Sequence, residues 1–203
     1  MLKLRRKYIW VLLVAGINLA AVSLPFVASA DTQTSTTTVN LTVNPVLISW
    51  SSGPTVTLGA ITPDSTGRQS TASDTVSANT NDTAGFTVTM QENSATTTSM
   101  VSGSNNITAS TGTAASPITL INGTWGWHID SLAGFTGSGA TLNSAAPSAV
   151  TYAGIPANGS PYTINTTSTN GSASTTVWYS ARANNTQPLG TYSSTVLYTF
   201  STN

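Results

Sequence analysis

The chain has 203 residues, of which only 6% are charged, and it contains no cysteine. Four of its six basic residues lie within the first 30 positions, so residues 31–203 carry two arginines against six acids, a net charge of −4. Neutralising nucleic-acid phosphates takes several cations, and so does binding an anionic membrane surface through a basic patch. Nucleic-acid binding and this kind of membrane binding are therefore excluded.

The first 30 residues have the features of a cleavable signal peptide. A basic region at residues 3–7 precedes an apolar stretch at residues 9–22, and Ala28-Ser29-Ala30 has the small-x-small pattern of a cleavage site. The alternative is an uncleaved membrane anchor, which needs about 20 apolar residues. We expect cleavage after Ala30 and an extracellular or cell-surface protein that has no membrane contact afterwards.

The rest of the chain is typical of an all-β protein. Good helix formers are scarce, and no window repeats apolar residues at the period of a helix. Apolar and polar residues alternate instead, in short runs separated by Gly, Pro, Asn and Ser. We expect residues 31–37 to form a flexible Thr-rich leader. Residues 38–203 are expected to form a single domain, since about 170 residues bury a sufficient core without disulfides.

The alternation predicts a series of strands in the first half of this domain. They lie, in chain order, at residues 39–43, 46–50, 56–61, 75–78, 85–91 and 106–108. The run at 85–91 is the clearest, because Phe86, Val88 and Met90 share one side and polar residues the other. The strand at 106–108 is expected because residues 93–116 would otherwise form an unusually long structureless loop.

Further strands are predicted in the second half of the domain. They lie at residues 118–121, 125–129, 150–152, 162–165, 175–183 and 191–200. A Gly-, Ser- and Ala-rich connection spans residues 131–148, and the last two strands are predicted to form a hairpin through residues 184–190. We expect roughly eight to ten of these segments to be strands of an antiparallel Ig-like or Greek-key β-sandwich after the N-terminal signal helix.

Two segments carry a resemblance to a known family. Residues 82–90 place Gly85 before Phe86-Thr87-Val88, and residues 188–200 run from Pro188-Leu189-Gly190 to Tyr198-Thr199-Phe200. Both segments are similar to signature segments of the bacterial WxL surface domain, and the two aromatic triplets stand where that family has Trp-x-Leu. The ending also resembles spore-coat-U-type and pilin-like sandwiches. The resemblance to WxL domains implies a β-sandwich that attaches non-covalently to a Gram-positive cell wall.

The segment Trp125-Gly126-Trp127 is the most unusual in the chain. In a strand, Trp125 and Trp127 share one face with Ile129. Such a face is suited to stacking on sugar rings, which makes both tryptophans candidate ligand-binding residues. The alternative, which we favour, is that both rings fill the core, because large aromatic side chains dominate protein cores.

A second candidate binding site lies on the strand at 175–183. If Val177 and Tyr179 face the core, Trp178 faces outward on the same side as Arg182. An exposed aromatic ring near a guanidinium group is suited to binding a partner. The alternative is that a loop or a second sheet covers Trp178, and the sequence leaves both interpretations open.

His128 is the single histidine of the chain, and Asp130 follows two residues later. A carboxylate in this position orients an imidazole that acts as a base, but no Gly-x-Ser-x-Gly elbow marks a nucleophile. One histidine without cysteine does not build a structural zinc site, and the acids are too scattered for a calcium loop. We therefore expect neither enzymatic activity nor a metal or other cofactor.

The leading hypothesis is a secreted or cell-surface structural or adhesive domain that is attached non-covalently to the envelope. Its partner would be a cell-wall glycan or another surface protein. One alternative is a carbohydrate-binding module that uses exposed tryptophan. Another is a pilin-like subunit in which residues 39–43 donate a strand to a neighbour. The sequence leaves the oligomeric state open.

Overall fold

The structure is a computed structural model that describes Thr38, residues 40–43 and residues 47–203. The predicted signal peptide and the Thr-rich leader lie outside the described residues. Contacts between Cα atoms group Val43–Asn203 into one compact unit. No helix occurs in the part of the chain that the structure describes, so the all-β prediction is confirmed.

Twelve strands lie within the described residues. They are β1 (Leu47–Ser51), β2 (Arg68–Thr80), β3 (Phe86–Glu92), β4 (Met100–Ser102), β5 (Asn105–Ala109), β6 (Ile118–Thr119), β7 (Thr124–His128), β8 (Leu142–Ala145), β9 (Thr151–Tyr152), β10 (Tyr162–Thr166), β11 (Gly171–Ala183) and β12 (Val196–Thr202). The two long strands, β2 and β11, have 13 residues each.

The strands form one large sheet, one smaller sheet and a short separate pair. The large sheet has the order β1-β2-β11-β7-β5-β4, and β8 adds to part of β2. Its centre is the antiparallel pair of β2 and β11, which stays in one register from Arg68 opposite Ala183 to Thr80 opposite Gly171. The smaller sheet has the order β10-β3-β12, and β6 pairs with β9.

The core lies between the two main sheets, and period-two alternation builds it. On β3 the side chains of Phe86, Val88 and Met90 are buried, and the residues between them are half-buried. They belong to one apolar cluster with Val177 and Tyr179 on β11. Burying each such side chain stabilises the fold by about 1.5–3 kcal/mol, so this face accounts for the packing of the sheets.

Several predicted strands are confirmed and two are wrong. The strand predicted at 85–91 is β3, and the strand expected within 93–116 is β5, which pairs with β4 in a hairpin. Residues 56–61 form no strand, and neither do residues 40–43, while residue 39 lies outside the described residues. Residues 56–58 instead line a cleft between the sheets, so Val56 and Leu58 pack against the core without strand pairing.

The predicted hairpin between the last two strands is also wrong. β11 pairs with β2 on one side and β7 on the other, while β12 pairs with β3 in the smaller sheet. Since both edges of β11 are occupied, the chain after Ala183 crosses to the other sheet before it continues as β12. The two strands therefore meet across the core, where Tyr179 approaches Tyr198.

A further layer covers the outer face of the large sheet. This layer is formed by residues 131–151, called the cover segment below. The segment includes the predicted connection at residues 131–148 and contains β8. Beneath this segment, the outward-facing side chains of Gln69, Thr71 and Ser180 are fully buried. Gln69 Nε2 donates to Ser180 Oγ at 2.9 Å, and Ser148 N donates to Gln69 Oε1 at 3.1 Å. This polar layer ties the cover segment to the sheet.

Candidate functional site

Trp125 and Trp127 lie in the core. Their side chains are 3% and 1% exposed, and they face inward from β7 beside Ala181 and Tyr179 of β11. Trp125 Nε1 donates to Thr98 O at 2.9 Å, so its one polar atom is satisfied. The burial supports the core interpretation of these two residues, because neither indole presents a free face on which a sugar could stack.

Trp178 is half-buried under the cover segment. The backbone of Gly139 lies against the indole, since a Cβ atom added to Gly139 would be 2.2 Å from Trp178 Cδ1. Of the two interpretations left open by the sequence, a covering loop is the one that the structure displays. Sequence reasoning lacked a signal for this contact, because residues 131–148 have the composition of an ordinary connection.

Arg182 holds two loops together rather than extending towards Trp178. Its Nη1 donates to Leu120 O at 2.7 Å, and its Nη2 donates to Thr66 O at 2.9 Å. The guanidinium therefore bridges the loop before β2 and the loop before β7. Arg182 and Trp178 share a strand face, but the structure does not bring them together in an open site.

His128 is fully buried, and both of its ring nitrogens have partners. Nδ1 lies 2.8 Å from Thr151 O, and Nε2 lies 2.8 Å from Asp130 Oδ1. A carbonyl oxygen and an ionised carboxylate can only accept hydrogen bonds. Each ring nitrogen therefore faces an acceptor, and the buried imidazole offers no free basic nitrogen.

Asp130 joins His128 to the cover segment. Its Oδ1 accepts from Gly139 N at 2.7 Å, and its Oδ2 accepts from Ser138 Oγ at 3.1 Å. Burial alone would raise the pKa of Asp130, but the hydrogen bonds from Gly139, His128 and Ser138 hold it below its ordinary value. The carboxylate stands between the hydroxyl and the imidazole, so His128 cannot take a proton from Ser138 as a catalytic base does.

A cleft of about 520 Å³ opens between the two main sheets. It is called the inter-sheet cleft below, and its walls include Leu58, Trp125, Tyr179, Tyr192, Tyr198 and the carboxylate of Asp74. Aromatic walls with a few polar groups are typical of small-molecule sites. Sequence reasoning did not find this site, because its residues come from separate strands and from the irregular stretch after β1.

Two tyrosine hydroxyls lie at the inter-sheet cleft. Tyr179 Oη and Tyr198 Oη are 2.5 Å apart, and Tyr179 Oη also donates to Met90 Sδ at 3.3 Å. Burial raises the pKa of Tyr179 well above its ordinary value, and the neighbouring Tyr198 and the negative charges of Asp74 and Glu92 add to this. Burial likewise raises the pKa of Tyr198. Both tyrosines therefore stay neutral hydrogen-bonding groups.

An aromatic pair lies at the surface where the two main sheets come together. Trp50 on β1 stacks on Phe200 of β12, with ring centroids 5.1 Å apart and ring planes 27° apart. Trp50 is 61% exposed although it is a large apolar residue. The sequence placed Trp50 at the end of a strand but gave no indication of the face, because the run from 46 to 50 has no clear alternation.

Comparison with protein-family models, with curated proteins and with solved structures gives no match. No helix among the described residues is long and apolar enough to cross a membrane. The described residues also contain no group of three or more His, Asp or Glu side chains that could hold a metal ion.

Proposed function

We propose that the chain is exported and acts at the cell surface as a structural or adhesive domain, held non-covalently to the envelope or to another surface protein. The stacked pair of Trp50 and Phe200 carries this proposal. Large aromatic side chains act as contact anchors in protein interfaces, and exposed apolar patches mark such interfaces. The signal-peptide pattern of residues 1–30 supports the location.

The two strands that carry the aromatic pair also have unpaired edges within the described residues. β1 ends the order of the large sheet, and β12 ends that of the smaller one. Charged residues and proline are the usual devices that protect an edge strand from pairing. Val196–Thr202 contains neither. A partner strand added here would gain main-chain hydrogen bonds as well as the aromatic contact.

The use of the ionisable groups supports a function without catalysis. Asp130 and His128 hold the cover segment, and Arg182 holds two loops. Arg68 pairs with Asp64 at 2.8 Å. These side chains make hydrogen bonds and an ion pair within the fold, and we propose that the domain binds a partner and catalyses no reaction.

The finer description of the fold is part of the same proposal. We assign the domain to the Ig-like or Greek-key β-sandwiches, supported by its antiparallel central pairs and by the crossing of the chain between sheets after β11. The two WxL-like triplets are neighbours on paired strands, since Phe200 lies opposite Val88 and Ser201 opposite Thr87. This adjacency supports a relationship with WxL surface domains.

The binding proposal is tested by cosedimentation. The purified chain is mixed with cell-envelope fragments and centrifuged, and the bound fraction is compared with that of Trp50→Ala. We expect the wild type to sediment with the envelope and Trp50→Ala to bind at least about thirtyfold more weakly, since aromatic hot spots contribute 2 kcal/mol or more. Leu189→Ala is the matched control, because Leu189 is a fully exposed apolar residue away from the pair.

Two outcomes count against the proposal. Equal sedimentation of wild type and Trp50→Ala would remove the aromatic pair as the binding surface. Cell fractionation tests the location separately: protein found only in the cytoplasm, with residues 1–30 still attached, would end the assignment to the cell surface.

A carbohydrate-binding function is the second candidate, and the exposure of Trp50 favours it. One face of the Trp50 indole is stacked on Phe200, which leaves the opposite face for the apolar side of a sugar ring. Titration with envelope glycans, followed by tryptophan fluorescence, should shift the emission of the wild type but not of Trp50→Ala. An unchanged response in Trp50→Ala would contradict this function.

A further inference from the structure

Asp74 is a carboxylate on the core face of a central strand. It lies on β2 in line with the buried Val76, and it is directly opposite Val177 of β11, which is fully buried. Asp74 itself is only 7% exposed. Carboxylates are placed in such surroundings only when hydrogen bonds or an opposite charge compensate for the lost hydration.

The compensation that the chain supplies to Asp74 is incomplete. Gly53 N donates to Asp74 Oδ1 at 2.6 Å. Among the described residues no group donates to Asp74 Oδ2, and this oxygen is not sealed from the inter-sheet cleft that Asp74 lines. Glu92, a second buried carboxylate nearby, differs because Ser94 N and Ser194 Oγ donate to its two oxygens.

The described part of the chain has no cation left for Asp74. Arg68 pairs with Asp64, and Arg182 donates to Leu120 O and Thr66 O. Residues 31–203 contain no lysine. The negative charge of Asp74 is felt within the cleft, where it helps to raise the pKa of Tyr179 after the larger effect of burial. The inter-sheet cleft is therefore a negatively charged cavity.

The walls of the cleft fix the kind of cation that suits it. Aromatic side chains line it, among them the partly buried Tyr192 and Tyr198, together with apolar Leu58. The faces of aromatic rings attract organic cations, and apolar walls accept an aliphatic stem. A calcium ion takes six to eight oxygen ligands, whereas Asp74 brings a single free carboxylate oxygen.

We propose that the inter-sheet cleft binds a primary ammonium group on an aliphatic stem, the chemistry of a lysine side chain, with Asp74 as its counter-ion. Because residues 31–203 hold no lysine, the ammonium group does not come from this region of the chain or of a second copy. This inference goes beyond the proposed surface function and does not depend on it, since it concerns binding by the purified chain.

The test is a titration followed by NMR. The full chain is labelled with ¹⁵N, and Nα-acetyl-lysine methylamide is added while the amide signal of Gly53 is recorded, because that amide donates to Asp74. Nα-acetyl-norleucine methylamide, which has the stem without the ammonium, is the matched ligand. We expect a saturable shift with the lysine derivative and binding about tenfold weaker or more with the norleucine derivative.

Variants of the protein supply the second arm. Asp74→Asn keeps the shape and the acceptor for Gly53 but removes the charge, and it should lose the preference for the lysine derivative. Asp64→Asn, at the surface pair with Arg68, should keep it. If Asp74→Asn does not fold, the comparison of the two ligands on the wild type still decides.

Three results would overturn the proposal. The first is equal binding of the lysine and norleucine derivatives by the wild type. The second is an unchanged preference in folded Asp74→Asn. The third is a saturable shift of Gly53 with calcium chloride and none with the lysine derivative, which would make the cleft a metal site.

Discussion

The hydroxyl group of Tyr179 lies 2.5 Å from that of Tyr198, and this hydrogen bond joins the two main sheets across the core. Tyr179 belongs to β11 in the large sheet and Tyr198 to β12 in the smaller one. The strands are consecutive in sequence but lie in different sheets, so the tyrosine pair links elements that share no backbone ladder. Because both hydroxyl groups can ionise, the tyrosine pair makes the stability of the domain fall at alkaline pH.

The tyrosine pair predicts a loss of stability above about pH 10. Burial raises the pKa of both tyrosines, whereas in the unfolded chain they ionise near a pKa of about 10. Above that pH the unfolded state releases protons that the folded state retains, so the free energy of unfolding falls as the pH rises. Their stabilising contribution is complete below the unfolded pKa.

The double variant Tyr179→Phe/Tyr198→Phe tests this dependence. It should be less stable than the wild type at neutral pH by about 1 kcal/mol, the net contribution of a hydrogen bond, and should lose less stability between pH 9 and 11. Urea unfolding across this range measures both effects. Parallel curves for the two proteins would contradict the prediction.

Asp130→Asn should change the stability at acid pH. Hydrogen bonds hold the pKa of Asp130 below its ordinary value of 3.8, so its contribution is present above pH 3.8 and is lost as the pH falls through the lower pKa of the folded state. The carboxylate is 46% exposed, so solvent screening limits the contribution to about 1 kcal/mol. The difference between wild type and Asp130→Asn, measured by urea unfolding, should shrink from pH 6 to pH 2.5; a constant difference would contradict the lowered pKa of Asp130.

Gly139→Ala should lift the cover segment from Trp178. The added methyl group would lie 2.2 Å from Trp178 Cδ1, closer than atoms can approach, so either the segment or the ring has to move. We expect a red shift of tryptophan emission and faster quenching by acrylamide. Thr141→Ala, an exposed position in the same segment, is the control and should leave both readouts unchanged.

Trp127→Ala and Trp50→Ala should differ in their effect on stability. Trp127 is 1% exposed and packs on Phe135 and Tyr162, so its removal should cost about 3–5 kcal/mol. Trp50 is largely exposed and loses one stacking contact, which is worth about 0.5–1.5 kcal/mol. Guanidinium unfolding compares them; similar losses would show that Trp50 serves the core and not a partner.

Much of the local structure is predictable from the sequence. The alternation at Phe86, Val88 and Met90 identifies both β3 and its inward face, and the core placement of Trp125 and Trp127 follows from their size. These features depend on neighbouring residues in the chain, which a single sequence displays directly.

Features set by distant contacts are not predictable in this way. Only residues 75–78 of β2 show apolar alternation, because the buried Gln69 and Thr71 face a polar layer that looks like exposed surface in the sequence. As a result, the predicted strand begins after Asp74, and no sequence signal shows that Asp74 faces the core. The pairing of β11 likewise depends on which edges β2 and β7 occupy, and no local pattern encodes that choice.

The position of the two arginines has a consequence for proteolysis. Arg182 is opposite Gln69, and Ala183 is opposite Arg68, so the bonds after both arginines face each other within the central ladder of the large sheet. Trypsin cleaves only after Lys or Arg and must draw its substrate into an extended, unpaired form. Since residues 31–203 offer no other basic residue, digestion by such proteases requires this end of the ladder between the two longest strands to open first, and the folded domain should resist them.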